Sequence, residues 1–161
     1  MAFKDLRRTD ARVPVNSEPF WFSSAIFGAE SDDFDAVLKS FTALDGTYQI
    51  LSAGVEIITP FDGATTLTVG HGTMLTDTIG TVTAVDVDQF IMSADVTEAT
   101  AGYYPASAAG VNAFNVATAA GLATIIKGKD AVVPVIYLTL TGTPTVGAGR
   151  VHMLLTKIPV A

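Results

Sequence analysis

Between Tyr48 and Gly70 the chain reads YQILSAGVEIITPFDGATTLTVG, and the alternation in this stretch restricts the possible folds more than any other feature. Val55, Ile57 and Thr59 alternate with Glu56 and Ile58. After Pro60, Asp62 and Gly63 the pattern resumes, with Leu67 and Val69 set against Thr66 and Thr68. A period of two places side chains on opposite faces of a pleated ribbon, so each half reads as a strand. Proline presets φ and glycine accepts positive φ, so the connector Pro60–Ala64 predicts a β-hairpin with a loop longer than two residues.

The same signature fills the last third of the chain. LATIIK (122–127), AVVPVIYLTLT (131–141) and VHMLLTKI (151–158) are rich in β-branched and aromatic residues. Ile136, Leu138 and Leu140 make one fully apolar face, and Val135, Tyr137 and Thr139 a mixed one. Pro134 cannot donate to a ladder, which places that end of the strand at an edge or a bulge. The glycine-rich connector 142–149 is followed by neither Lys-Ser nor Lys-Thr, so it is not a phosphate cradle. A short strand is expected over Thr81–Val85, and Ala99–Gly121 reads as a long loop with a short strand inside it.

Two segments carry helical signals. Phe34, Val37, Leu38 and Phe41 fall at i, i+3, i+4 and i+7, which predicts a helix over residues 31–44, capped by Ser31 or Asp32 and stopped by Asp45-Gly46. Asp86–Met92 fits one or two helical turns, with Val87, Phe90 and Ile91 on one face. The 21 threonines favour a pleated architecture. The expected fold is an all-β, jelly-roll or Greek-key β-sandwich with one short N-terminal helix. It comprises an extended N-terminal segment over residues 1–30 and a sandwich domain over residues 31–161.

The 161 residues include no cysteine, which excludes a disulfide scaffold, a zinc ribbon and thiol catalysis. Apolar residues make up 49% and charged residues 16%, with a mean hydropathy of +0.44. The longest apolar runs are interrupted and fall short of the roughly 20 residues a spanning helix needs. The start MAFKDLRRTDARVP lacks the apolar stretch of a signal peptide, so synthesis in the cytosol is expected. The apolar excess then points to a subunit that buries surface against neighbouring chains.

Charge is uneven. Residues 1–16 hold Lys4, Arg7, Arg8 and Arg12 against Asp5 and Asp10, whereas the rest holds five basic and 14 acidic residues. An acidic body argues against nucleic-acid binding, which needs a basic face. The basic start reads either as a solvated tail or as an arm that docks on an acidic partner surface. Phe20, Trp21, Phe22 and Phe27 crowd eight residues, either to plug one end of the core or to meet a neighbouring subunit. Tyr103 and Tyr104, inside the glycine- and alanine-rich stretch, are either contact residues or rings packed over the sandwich edge.

Metal and catalytic readings are weak. Asp32, Asp33 and Asp35 do not match a calcium loop, Asp86-x-Asp88 is a minor candidate, and His71 and His152 have no neighbouring ligands in sequence. No triad or paired acid and base stands out, and no cofactor is expected.

The segments VEIITPFDGATTLTVG, DVDQFIMSADV with GYY after it, and IYLTLTGTPTVGAGRVHMLL resemble the small cement or decoration proteins of tailed-bacteriophage capsids, over roughly Tyr48–Pro159. The resemblance implies a jelly-roll subunit, commonly a homotrimer, on the outer surface of a head shell where copies of the major capsid protein meet. It carries no catalytic residues. The expected function is a structural virion protein that is not an enzyme and binds neither nucleic acid nor membrane. Its expected shell or subunit contacts are Lys4, Arg7, Arg8, Arg12, Phe20, Trp21, Tyr103 and Tyr104. The alternative is a carbohydrate-binding or host-adsorption module of a head fibre or tail spike, with Tyr103 and Tyr104 stacking on sugar rings.

Overall fold

The computed structural model describes residues 2–5, 18–30, 32–75, 81–106 and 125–158. They form a β-sandwich, as the alternation predicts. Eleven strands run in chain order: β1 Ala2–Asp5, β2 Phe20–Ser23, β3 Phe27–Gly28, β4 Phe34–Ser40, β5 Thr47–Thr59, β6 Thr66–Leu75, β7 Thr83–Ile91, β8 Gly102–Pro105, β9 Ile125–Lys127, β10 Val132–Thr141 and β11 Ala148–Ile158. One sheet has the order β1-β4-β10-β6-β7, and the other β2-β11-β5-β8, with β3 also on β11 and β9 also on β5. All pairings are antiparallel except β1 with β4. No helix among the described residues is long and apolar enough to cross a membrane.

The core lies between the sheets and is built from alternate residues. Phe34, Ala36 and Leu38 of β4, Val55 and Ile57 of β5, Leu67 and Val69 of β6, Ile136, Leu138 and Leu140 of β10, and Val151, Met153 and Leu155 of β11 are all buried in one cluster. A smaller cluster of Val37, Met74 and Val135, flanked by Val82, covers part of the opposite side of the first sheet.

Three expectations are corrected. First, the helix expected over residues 31–44 is not formed by its described part, residues 32–44: Phe34–Ser40 is strand β4. The helical spacing is produced by a strand covered on both sides, with Phe34 and Leu38 in the main core and Val37 in the second cluster. The register slips between Tyr137↔Val37 and Ile136↔Lys39, so β4 carries one extra residue, Leu38, and the next core position after it is Phe41 instead of residue 40. Asp33 and Asp35 do not serve a helix start: they accept hydrogen bonds from the Gly142 N–H (2.8 Å) and the Thr139 hydroxyl (2.6 Å).

Second, Asp86–Ile91 continues strand β7, and it is followed by a 3-10 turn at Ser93–Asp95. Val69 faces Ile91 while His71 faces Asp86, so β7 bulges strongly, and this disruption breaks the strand alternation in sequence. Gly70 makes the bulge possible, because a Cβ there would lie 2.1 Å from the Asp86 carbonyl oxygen.

Third, β5 and β6 form no hairpin: they belong to opposite sheets. Their connector crosses the end of the sandwich and is pinned there. Phe61 is buried, stacks on Phe27 with centroids 6.2 Å apart, and fills the space a Gly147 side chain would need. Asp62 accepts hydrogen bonds from the Thr145 N–H (2.7 Å), the Val146 N–H (2.9 Å) and the Thr145 hydroxyl (2.6 Å).

Pro134 falls where β4 has run out, one residue beyond the Val135↔Ser40 pair, and its carbonyl accepts the Phe41 N–H. The described parts of residues 1–30 are extended. β1 lies along β4 at the edge of one sheet, and β2 and β3 lie along β11 in the other.

Candidate functional site

The outer face of the β2-β11-β5-β8 sheet holds the chemistry. In β5, Val55 and Ile57 point into the core, so Gly54, Glu56 and Ile58 point out; in β11, burial of Val151 and Met153 turns Arg150, His152 and Leu154 outward. Register aligns these rows across the sheet. His152 stands between Ser23 and Gly54, Gly54 is opposite Pro105, Glu56 is flanked by Arg150 and Tyr103, and Trp21 faces Leu154.

A depression of about 760 Å³ opens on this face, lined by Trp21, Glu56, Ile57, Ile58, Gly102, Tyr103 and His152. Trp21 is 58% exposed and Tyr103 50%. Tyr103 lies down on the sheet: a Cβ on Gly54 would come within 2.1 Å of its hydroxyl oxygen and 2.4 Å of Cζ. Only a glycine lets the ring rest on the backbone there. The ring is thus held against Gly54 while it also lines the depression, and partial burial pushes the phenol pKa up. The imidazole of His152 is 6.2 Å away, centroid to centroid.

A hydrogen-bonded chain crosses the floor. His152 Nδ1 is 2.7 Å from Ser23 Oγ, and His152 Nε2 is 3.0 Å from Glu56 Oε2. The neutral tautomer that satisfies both contacts carries its proton on Nε2, donating to Glu56 and accepting from the serine hydroxyl. This arrangement fixes the imidazole and holds one carboxylate oxygen of Glu56, a residue that lines the depression. It resembles a proton relay. However, the neighbouring backbone donors are already used, since Val151 N–H bonds to Ser24 Oγ and Ser24 N–H to the Val151 carbonyl.

A second polar group sits on the other sheet. Tyr137 is almost fully buried, its hydroxyl has no partner among the described residues, and its pKa is pushed up to about 12 by burial and by the carboxylates of Asp35, Asp86 and Asp88. A hydrogen bond with Asp86, followed by burial, raises the Asp88 carboxyl. Burial lowers the His71 pKa, against the pull of Asp86. Among the described residues no three His, Asp or Glu side chains are placed to hold a metal ion.

Of the expected contact residues, the fold brings Trp21 and Tyr103 to one depression. Phe20 and Tyr104 instead turn inward and pack against the core, Phe20 edge-on to Tyr48 with centroids 6.2 Å apart. The Tyr104 hydroxyl donates to the Thr100 carbonyl at 2.9 Å. The backbone of Lys4 pairs with Ala36 in β1, and Arg7, Arg8 and Arg12 lie outside the described residues. Sequence reasoning missed Glu56, Ser23 and His152 as a group. Alternation shows that Glu56 and His152 face outward, but their proximity depends on a register between strands about a hundred residues apart.

No protein-family model matches the chain, and no curated protein matches it. Among solved structures, a chain of the "Capsid of Ralstonia phage GP4" is similar, with a TM-score of 0.57 and 14% sequence identity over 97% of this chain and 99% of that one. At that identity the likeness is one of fold: the two chains share a β-sandwich architecture along nearly their whole lengths.

Proposed function

We propose that the chain is a structural protein of a phage head, a cement or decoration subunit that binds the outside of the shell and braces contacts between copies of the major capsid protein. One observation carries this reading: a phage capsid structure contains a chain of the same architecture, end to end. The composition supports it. The described surface exposes Leu44, Leu75, Val85, Val87, Val132 and Val146, an apolar load that suits a protein covered by neighbours. No catalytic step belongs to this reading.

The grip is assigned to the basic segment. An acidic body with a short basic start is suited to holding an acidic shell surface, and a homotrimer presenting three such segments gains avidity that one copy lacks. Replacing Arg7, Arg8 and Arg12 together by Glu leaves residues 2–5 free to form β1. The expected result is a loss of occupancy on purified heads, and salt should weaken the unaltered protein in the same direction. Undiminished occupancy by the triple variant would rule the segment out. A strict monomer by native mass spectrometry would remove the avidity argument.

A further inference from the structure

We propose that the depression on the outer face of the β2-β11-β5-β8 sheet is a saccharide-binding site, taking a neutral or amino-substituted pyranose between Trp21 and Tyr103 with its hydroxyls on Glu56. The inference goes beyond the shell-binding reading, because it concerns a different surface and a different ligand class.

The aromatic platform comes first. Tyr103 is not a loop side chain swinging in solvent. Its ring rests on Gly54 at a distance that excludes any Cβ, so its orientation is set before a ligand arrives and little rotamer entropy is lost on binding. Trp21 reaches the same depression from β2, and both rings are half exposed or more. A pyranose has one or two apolar C–H faces that pack on such rings and a rim of hydroxyls that do not.

The polar rim is met by Glu56. Its Oε2 is engaged by His152 Nε2 at 3.0 Å, and His152 is itself held by Ser23 at 2.7 Å. A carboxylate anchored on one oxygen presents the other as an oriented acceptor for sugar hydroxyls. The depression has the size usual for small-ligand sites, about 300–1,000 Å³.

Desolvation decides between a sugar and a protein partner. An apolar side chain docking between Trp21 and Tyr103 would strip water from Glu56 without replacing its hydrogen bonds, which is costly. A sugar covers both rings and still supplies O–H donors to the carboxylate. Charge sets the class of sugar. Among the described residues Glu56 is the carboxylate lining the site and no Lys or Arg side chain lines it, Arg150 standing beside Glu56 in the register but outside the lining, so the lining disfavours acidic sugars and fits neutral or amino ones.

Trp21 is the only tryptophan, so its emission reports on this site directly. The full chain is titrated with cellotetraose, tetra-N-acetylchitotetraose and chitotetraose, with sialyllactose as the acidic comparison, and labelled protein is screened on a glycan array. The expected result is a saturating change in Trp21 emission with at least one neutral or amino sugar and weaker or no response to sialyllactose. Removing one stacked ring with Tyr103→Ala should weaken binding roughly tenfold. Tyr103→Phe, which keeps the ring over Gly54, should restore most of it, and Glu56→Gln should weaken it without changing the melting temperature. Three outcomes overturn the proposal: no response of the protein to any sugar on the array or in titration, binding unchanged in Tyr103→Ala, or loss of head occupancy in Tyr103→Ala with no saccharide binding by the unaltered protein. The last would make the face a protein contact. Failure of the arginine variant on heads bears on the shell-binding reading alone.

Discussion

Gly54→Ala tests whether the ring of Tyr103 is held by contact with the bare backbone. The three atoms nearest the added methyl all belong to Tyr103, at 2.1, 2.4 and 2.7 Å, so the ring must leave. Tyr103 is half exposed; a tyrosine that buries about 150–250 Å² when fully covered therefore gives up roughly 100 Å², or about 2.5 kcal/mol as an upper bound. Gly54 has no positive φ, so alanine also restricts the unfolded chain and returns about 0.4–1 kcal/mol. The net expectation is a loss of about 1.5–2 kcal/mol, read from urea unfolding followed by circular dichroism. The same substitution in a Tyr103→Ala background meets no ring and should stabilise the protein by about 0.4–1 kcal/mol. A change of sign between backgrounds is the signature of the contact. Equal cost in both, within about 0.5 kcal/mol, would refute it and place the strain in the β5 backbone.

Asp62 is held below the usual carboxylate range chiefly by the Thr145 hydroxyl, then by the Val146 and Thr145 N–H groups. Its contribution is therefore present above the unfolded value near 3.9 and is lost as pH falls through the lower folded value, so an Asp62→Asn variant should show a flatter melting temperature between about pH 5 and pH 2. A parallel decline in the two proteins would contradict this. Tyr137→Phe deletes a buried hydroxyl that has no partner among the described residues, so it should be neutral or stabilising by up to about 1 kcal/mol at pH 7. The raised Tyr137 pKa of about 12 makes its contribution complete below the unfolded value near 10 and lost as pH rises through 12, so the variant should also resist alkali better, measured by unfolding across that range. A cost above about 2 kcal/mol would mean that the hydroxyl has a partner after all.

The strands that alternate cleanly were legible. Ile136, Leu138 and Leu140 read as one apolar face and form one. The errors fall where a strand is covered on both sides or bulged. Phe34 to Phe41 imitates a helix because Val37 is buried under a second cluster and Leu38 is inserted at a bulge, and Asp86–Ile91 loses its period where β7 is pushed out over Gly70. The connector after Thr59 has turn residues in either reading. Nothing local to it says that the chain will cross to the other sheet there. The site was half legible: exposed aromatics are conspicuous in a sequence, so Trp21 and Tyr103 stood out. Glu56 and His152 looked like isolated surface groups because their pairing is set by the β5–β11 register.

The topology also determines when this protein can fold. β10 is flanked by β4 and β6 at the centre of one sheet, while β11 lies between β2 and β5 in the other. A nascent chain that has emerged only as far as residue 130 can pair β1 with β4, β6 with β7, and β5 with β8 and β9, but it lacks the strand that joins the two parts of each layer. Those pieces must wait, unjoined, until residue 158 clears the ribosome, and that interval is when such a chain is most exposed to aggregation or to capture by chaperones.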